Sequence, residues 1–157
     1  MSQPDSEQPT GIVDGAAMVV CTTAERAQAD GLDVMGVVRG YSCVGVDPKE
    51  MGIGPVPAIK VLLDEAGMSV GDIDYFEINE AFSAQYLGCE KELELDRNRC
   101  NVNGGAISLG HPLGATGTRL VLTLLYQLRR SGKRFGVASA CIGGGQGIAI
   151  LVENPAA

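Results

Sequence analysis

Three side chains able to move protons or hold a carbonyl oxygen stand in three separate segments of this chain: Asn79 in INEAF, His111 in GGAISLGHPLGATG and Cys141 in CIGGGQG. Gly110 and Gly114 allow close backbone approach around His111, and Pro112 holds it extended, so the imidazole sits in a stiff loop. Such a histidine suits proton transfer, although one bonded within its own loop would satisfy the same pattern. Cys141 is followed by Gly143-Gly144-Gly145, whose bare amides can face a developing negative charge as an oxyanion hole. Free cysteines are also among the most buried residue types, so Cys141 alone reads more readily as core than as a functional group. An imidazole within reach would lower its pKa and let the pair exchange protons, which makes His111 and Cys141 more informative together than apart. Asn79, between a strand and a helix, reads first as an N-cap whose oxygen accepts a helix amide proton, and only second as a site residue. Glu80 could act as a base or simply complement the helix dipole.

Short elements must position these groups. Residues 16–21 (AAMVVC) read as a buried strand, after which Thr22 caps a helix with Glu25 at the capping-box position and Gly31 ending it. The valine-rich stretch 35–46 reads as a second strand, closed by Asp47-Pro48. A helix over 56–66 places Ile59, Leu62, Leu63 and Ala66 on one face, with Gly67 as its stop. Residues 73–78 form a strand ending at Asn79, and 81–95 are helical. Eleven of the 22 glycines fall in residues 104–147, around a helix over 116–130 and strands near 135–140 and 148–152. The helix around LVLTLLY is apolar on nearly every face, the pattern of a helix buried within the protein rather than one lying on its surface, and suggests a sheet-helix-sheet layered body. One sheet and one helical layer would leave part of it uncovered, so the body is expected to continue in another chain, with a single-domain central helix as the other reading.

The chain has 157 residues, 45% hydrophobic and 20% charged, with net charge −7. This fits one globular domain and argues against a broad nucleic-acid or anionic-membrane footprint. The charge divides unevenly, with 5 basic and 17 acidic groups in residues 1–95 against 7 and 2 in 96–157. Arg129, Arg130, Lys133 and Arg134 read first as a helix C-terminus. Five scattered cysteines and one histidine indicate neither a disulfide framework nor a metal site. A polar, proline-containing start over residues 1–10 reads as a disordered tail before a domain over 11–157. With no signal-like or membrane-spanning stretch, the expectation is a reduced, cytoplasmic protein. No Gly-x-x-x-x-Gly-Lys or strand-linked Gly-x-Gly-x-x-Gly is present.

Taken in order, GVDPKEMGIGPVPA, NEAF, NVNGGAISLGHPLGATGTR and CIGGGQG resemble the C-terminal half of thiolases, the acyltransferases that make or cleave β-ketoacyl-CoA. The likeness runs over about residues 11–153, and the family's N-terminal half, with its nucleophilic cysteine, has no counterpart here. The resemblance implies an α/β fold that is half of the thiolase fold, a mixed five-stranded sheet with helices on both faces. It further implies that Cys141 is the acid and base, that His111 and an Asn79-held water bind the thioester oxygen, and that the Gly143 amide serves a second oxyanion hole. Met51 and Phe82 resemble substrate-binding positions. Coenzyme A esters are then substrates, with no cofactor and no metal. The expected assembly is a split, heteromeric thiolase in which a separate N-terminal-half subunit supplies the nucleophile, with two or more copies of each chain. A non-catalytic scaffold or regulatory module derived from a thiolase is the alternative. A piece of a longer enzyme is a third reading, which the polar extension at Met1 speaks against.

Overall fold

A computed structural model describes residues 10–157; the tail expected over 1–10 lies almost wholly outside the described residues. Four strands form one mixed sheet: β1 (Val37–Gly45), β2 (Tyr75–Ile78), β3 (Phe135–Ile142) and β4 (Gln146–Glu153), in the order β1-β4-β3-β2. β4 pairs antiparallel with both β1 and β3, and β2 lies parallel to β3. β1, β2 and β3 therefore all point their C-terminal ends the same way, which gathers the segments that follow them at one edge.

The helices are α1 (Ala24–Ala29), α2 (Pro55–Ala66), α3 (Ser83–Glu92), α4 (Ala106–Leu109) and α5 (Leu113–Ser131). α2 forms where Ile59, Leu62 and Leu63 share a face, and it ends because Gly67 turns left-handed at φ 65° and returns its amide to Asp64 and Leu63 carbonyls. Those residues pack with Phe76, Ile78, Val137 and Leu151 into a core on one face of the sheet. On the other face α5 sets Leu120, Leu124, Leu125 and Leu128 against Ala138 and Val152. Helices thus cover both faces, as expected of half of the thiolase fold.

The sheet has four strands among the described residues, not five. Residues 16–21 take no regular secondary structure and pair with no strand, and Met18 and Val20 are 86% and 85% exposed. An apolar run becomes a strand only against a partner edge, and none adjoins this one. The following helix begins one residue later than expected: Thr23, not Thr22, is extended and accepts the Arg26 amide at 3.3 Å. α5 begins at Leu113, three residues before the expected start, and its outer side stays open, with Leu113 and Tyr126 exposed and Val121 and Leu122 half-buried. One helical layer leaves this helix partly uncovered.

Candidate active site

Asn79 follows the last residue of β2, and its amide donates to the Ser139 carbonyl of β3 at 2.9 Å. This places Cys141, two residues farther along β3, at the same edge of the sheet. Asn79 does not cap α3, whose N-cap is Phe82 without a side-chain bond. Its side chain turns instead to His111, with Nδ2 3.4 Å from Nε2. Asn79 is 1% exposed, and its Oδ1 has no hydrogen-bond partner among the described residues. A buried amide oxygen left this way calls for a donor such as a water or a ligand.

His111 is fixed from both sides. Nδ1 lies 2.7 Å from the Thr116 hydroxyl, which is also 3.1 Å from the Pro112 carbonyl. The hydroxyl has one proton, so it either donates to Pro112 and accepts from Nδ1–H, or donates to Nδ1 and leaves the proton on Nε2. Asn79 Nδ2 can only donate, so its contact with Nε2 selects the first arrangement, with the proton on Nδ1 and Nε2 as acceptor. Burial, and then the charge of Arg119, hold the His111 pKa below its ordinary value. Arg119 Nη1 also donates to the Gly110 carbonyl at 2.9 Å, and Gly110 adopts φ 85°, a conformation that favours glycine.

Glu80 is a clamp rather than a base. Its two carboxylate oxygens accept from Asn101 Nδ2 and the Ile107 amide, each at 2.9 Å. Asn101 in turn bonds both the amide and the carbonyl of Ile78. The end of β2 and the glycine loop before His111 are thereby tied into one unit.

Cys141 is partly buried, and burial raises its thiol pKa, so it is held protonated at neutral pH. No hydrogen bond joins it to His111 among the described residues. The hairpin after it is held down where Val46 donates to the Gly145 carbonyl at 2.8 Å. Gly143 is exposed at the top of that hairpin, and its amide makes no hydrogen bond among the described residues, leaving it free to face an oxyanion. Met51 is half-buried in the short 3-10 helix Pro48–Ile53 after β1, and Phe82 is exposed at the start of α3. Both follow strands whose C-terminal ends share the Cys141 edge. Cys89 is wholly buried on α3, its thiol within bonding reach of Gln85 and the Gly52 carbonyl, and burial raises its pKa to about 11.

A family model for the C-terminal domain of thiolase matches residues 32–154. The chain belongs to the thiolase family. It is 48% identical over 147 residues to the human mitochondrial 3-ketoacyl-CoA thiolase, covering 94% of this chain and 37% of that one. It is 49% identical over 146 residues to an acetyl-CoA acetyltransferase of Chromobacterium violaceum, covering 93% and 37%. The crystal structure of the human mitochondrial thiolase in complex with CoA superposes with a TM-score of 0.83 at 49% identity, over 85% of this chain and 34% of that one. The chain thus spans little more than a third of the length of these relatives. Since the match to the human sequence leaves at most ten residues of this chain outside it, the unpaired run at 16–21 falls within the shared region, whereas the C-terminal-domain model starts beyond it.

Thr116, Asn101 and Arg119 were not singled out from the sequence. Thr116 and Arg119 lie in the first two turns of the helix that the His111 loop enters, five and eight residues past the histidine, so the start of α5 was the signal. Asn101 had none: its role depends on the left-handed φ of 46° that brings its amide beside Ile78.

Proposed function

We propose that this chain is the C-terminal-half subunit of a heteromeric thiolase, transferring acyl groups between coenzyme A esters. The observation that carries the reading is the convergence of three groups at one sheet edge: the hydrogen-bonded Asn79–His111 pair with its unsatisfied Oδ1, the protonated Cys141 thiol, and the open Gly143 amide. A partner chain supplies the nucleophilic cysteine. His111 takes the proton of that thiol, the thiolate attacks the thioester carbonyl while the imidazolium and an Asn79-held water stabilise the oxyanion, and His111 passes the proton to the departing coenzyme A, which leaves as its thiol. Cys141 then gives its proton to His111 and, as the thiolate, removes the α-proton of a second acyl-CoA; His111 returns its proton to the nucleophilic thiolate when that is released. The resulting carbanion attacks the acyl-enzyme, whose oxyanion lies against the Gly143 amide, and the nucleophilic thiolate is released with β-ketoacyl-CoA. The reverse sequence is thiolysis, in which the Cys141 thiol protonates the leaving carbanion. Met51 and Phe82 border the acyl group, and the compartment is the cytoplasm.

The test begins with the native mass of the chain purified from its own cells and the identity of co-purifying polypeptides. A stable complex with a chain bearing a thiolase-type nucleophile, active in acyl transfer, supports the reading; a lone folded monomer without activity favours a non-catalytic scaffold. In the active complex Cys141→Ala should retain acylation by an acyl-CoA and lose condensation by at least ~100-fold, the scale of a removed general acid–base. Condensation near the wild-type rate would remove Cys141 from that role.

A further inference from the structure

The short helix α4, which leads into His111, has no cap of its own: its N-cap residue is Gly105, and no side-chain bond is made there. Glu80 serves from outside the segment. One of its carboxylate oxygens accepts the Ile107 amide in the first turn of α4, and the other accepts Asn101 Nδ2, each at 2.9 Å. Asn101 is itself bonded to the Ile78 amide and carbonyl, so it stays with the end of β2. Both groups that meet Glu80 are donors, and a carboxylate, which only accepts, satisfies the two at once.

Gly105 shows that this space is kept for the carboxylate. Its backbone is ordinary, with φ −104° and ψ −172°, so its conformation does not call for glycine. A Cβ there would instead collide with the carboxyl carbon and both oxygens of Glu80. From Gly105 the chain runs through the single turn of α4 to Gly110 and His111, while Glu80 adjoins Asn79 along the chain. The contact between Asn79 Nδ2 and His111 Nε2 thus closes a circuit that passes from Asn79 through Glu80, the Ile107 amide and α4 to His111. At 3.4 Å that contact is long for a hydrogen bond, so a small shift of either end breaks it.

We propose that Glu80 is a positioning residue for the oxyanion site: by capping α4 from the end of β2, its carboxylate holds His111 Nε2 against Asn79 Nδ2. The inference deepens the proposed function and rests on Asn79 and His111 being site residues. With the circuit closed, Asn79 Nδ2 faces Nε2 and keeps the imidazole proton on Nδ1. With it open, Nε2 loses its donor neighbour, the Thr116 hydroxyl can turn to donate to Nδ1, and the proton is free to sit on Nε2. In that second form Nε2 cannot take a thiol proton.

His111 is the only histidine in the chain, so its ring nitrogen signals in NMR of the full-length protein, read at a pH where the imidazole is neutral, report its tautomer without ambiguity. The wild type should show the Nδ1–H form alone. Glu80→Gln, which sets an amide donor against Asn101 Nδ2 or the Ile107 amide, should give a mixture of tautomers in a chain that is still folded. Gly105→Ala, which leaves Glu80 in the chain but takes the space of its carboxylate, should give the same mixture. In the active complex Glu80→Gln should lower kcat for acyl transfer by about 100-fold with KM little changed, the scale of a ~1 Å misplacement. The Nδ1–H form alone in both folded variants, or a wild type that already shows the mixture, would overturn the proposal. So would loss of the folded spectrum in both variants, because the clamp would then be a requirement of the fold rather than of the site. A tautomer shift in both variants with no acyl transfer in the complex removes the proposed function and leaves the clamp; an active complex with an unmoved tautomer does the reverse.

Discussion

Residues 16–21 and residues 148–152 look alike on paper, AAMVVC and IAILV, and they end in opposite environments. The first run is irregular and unpaired, with Val20 85% exposed; the second is the heart of β4, paired on both sides, with Leu151 1% exposed. Apolar composition is the same in kind for both. The difference is that β4 finds a strand on either edge and a helix over each face, whereas the earlier run finds no strand, and only the residues just before it reach the His111 loop. There the His111 amide donates to the Gly11 carbonyl at 3.2 Å and Val13 lies against Gly110. Strand formation is a property of a pair, so a run that lacks its partner stays irregular and its apolar side chains stay exposed.

The sharpest way to test that contrast is to attack the packed side. Phe76, paired with Val137 and buried between the sheet and α2, has no space to collapse into. Phe76→Ala should cost about 3–5 kcal/mol in chemical denaturation, enough to threaten the whole domain. A loss below about 1 kcal/mol would mean that the core on the α2 face is not what holds the sheet.

The same contrast explains which features were legible in the sequence. α2 was readable because its spacing and the Gly67 stop are local signals that tertiary packing did not override. β3 and β4 were readable as apolar runs, though β3 extends two residues past Ala140 because its ladder with β4 continues to the Ile142–Gln146 pair. α5 was shortened in the reading because Gly114 was assigned to the loop around His111, yet Pro112 is the N-cap of the helix and Gly114 rides on its exposed side. At the site, the residue types of Asn79, His111 and Cys141 were plain, while the choice between cap and ligand for Asn79 was not. That choice depends on where the 101–111 segment folds back, which the Asn101 and Glu80 bonds determine and no local pattern encodes.

A smaller effect is expected at the hairpin beside Cys141. Gly145 sits at φ 87°, and a Cβ there would approach the Val46 carbonyl oxygen to 2.5 Å, against backbone that cannot swing aside. Gly145→Ala should cost about 1–3 kcal/mol, the range for a non-glycine residue held in a sparsely populated backbone region. Because the strain lies between Cys141 and the end of β1, the variant should also lose more acyl-transfer activity in the complex than its stability alone accounts for. Equal wild-type and variant rates at a temperature where both are folded would show that the hairpin does not position the Gly143 amide.

The smallest effect on the chain itself belongs to the exposed run, and it separates two meanings of that exposure. Val20 makes no contribution to either core, so Val20→Ser should change the stability of the isolated chain by no more than about 0.5 kcal/mol. If the run pairs with a strand of another chain, the same substitution should weaken the complex by several-fold, since it removes a buried apolar side chain and strand propensity from an interface rather than from a core. Chemical denaturation of the chain alone and titration of the purified partner read the two quantities separately. A variant that is unchanged in both would show that residues 16–21 remain an exposed strap in the assembled protein, and that the open side of α5 carries the association instead.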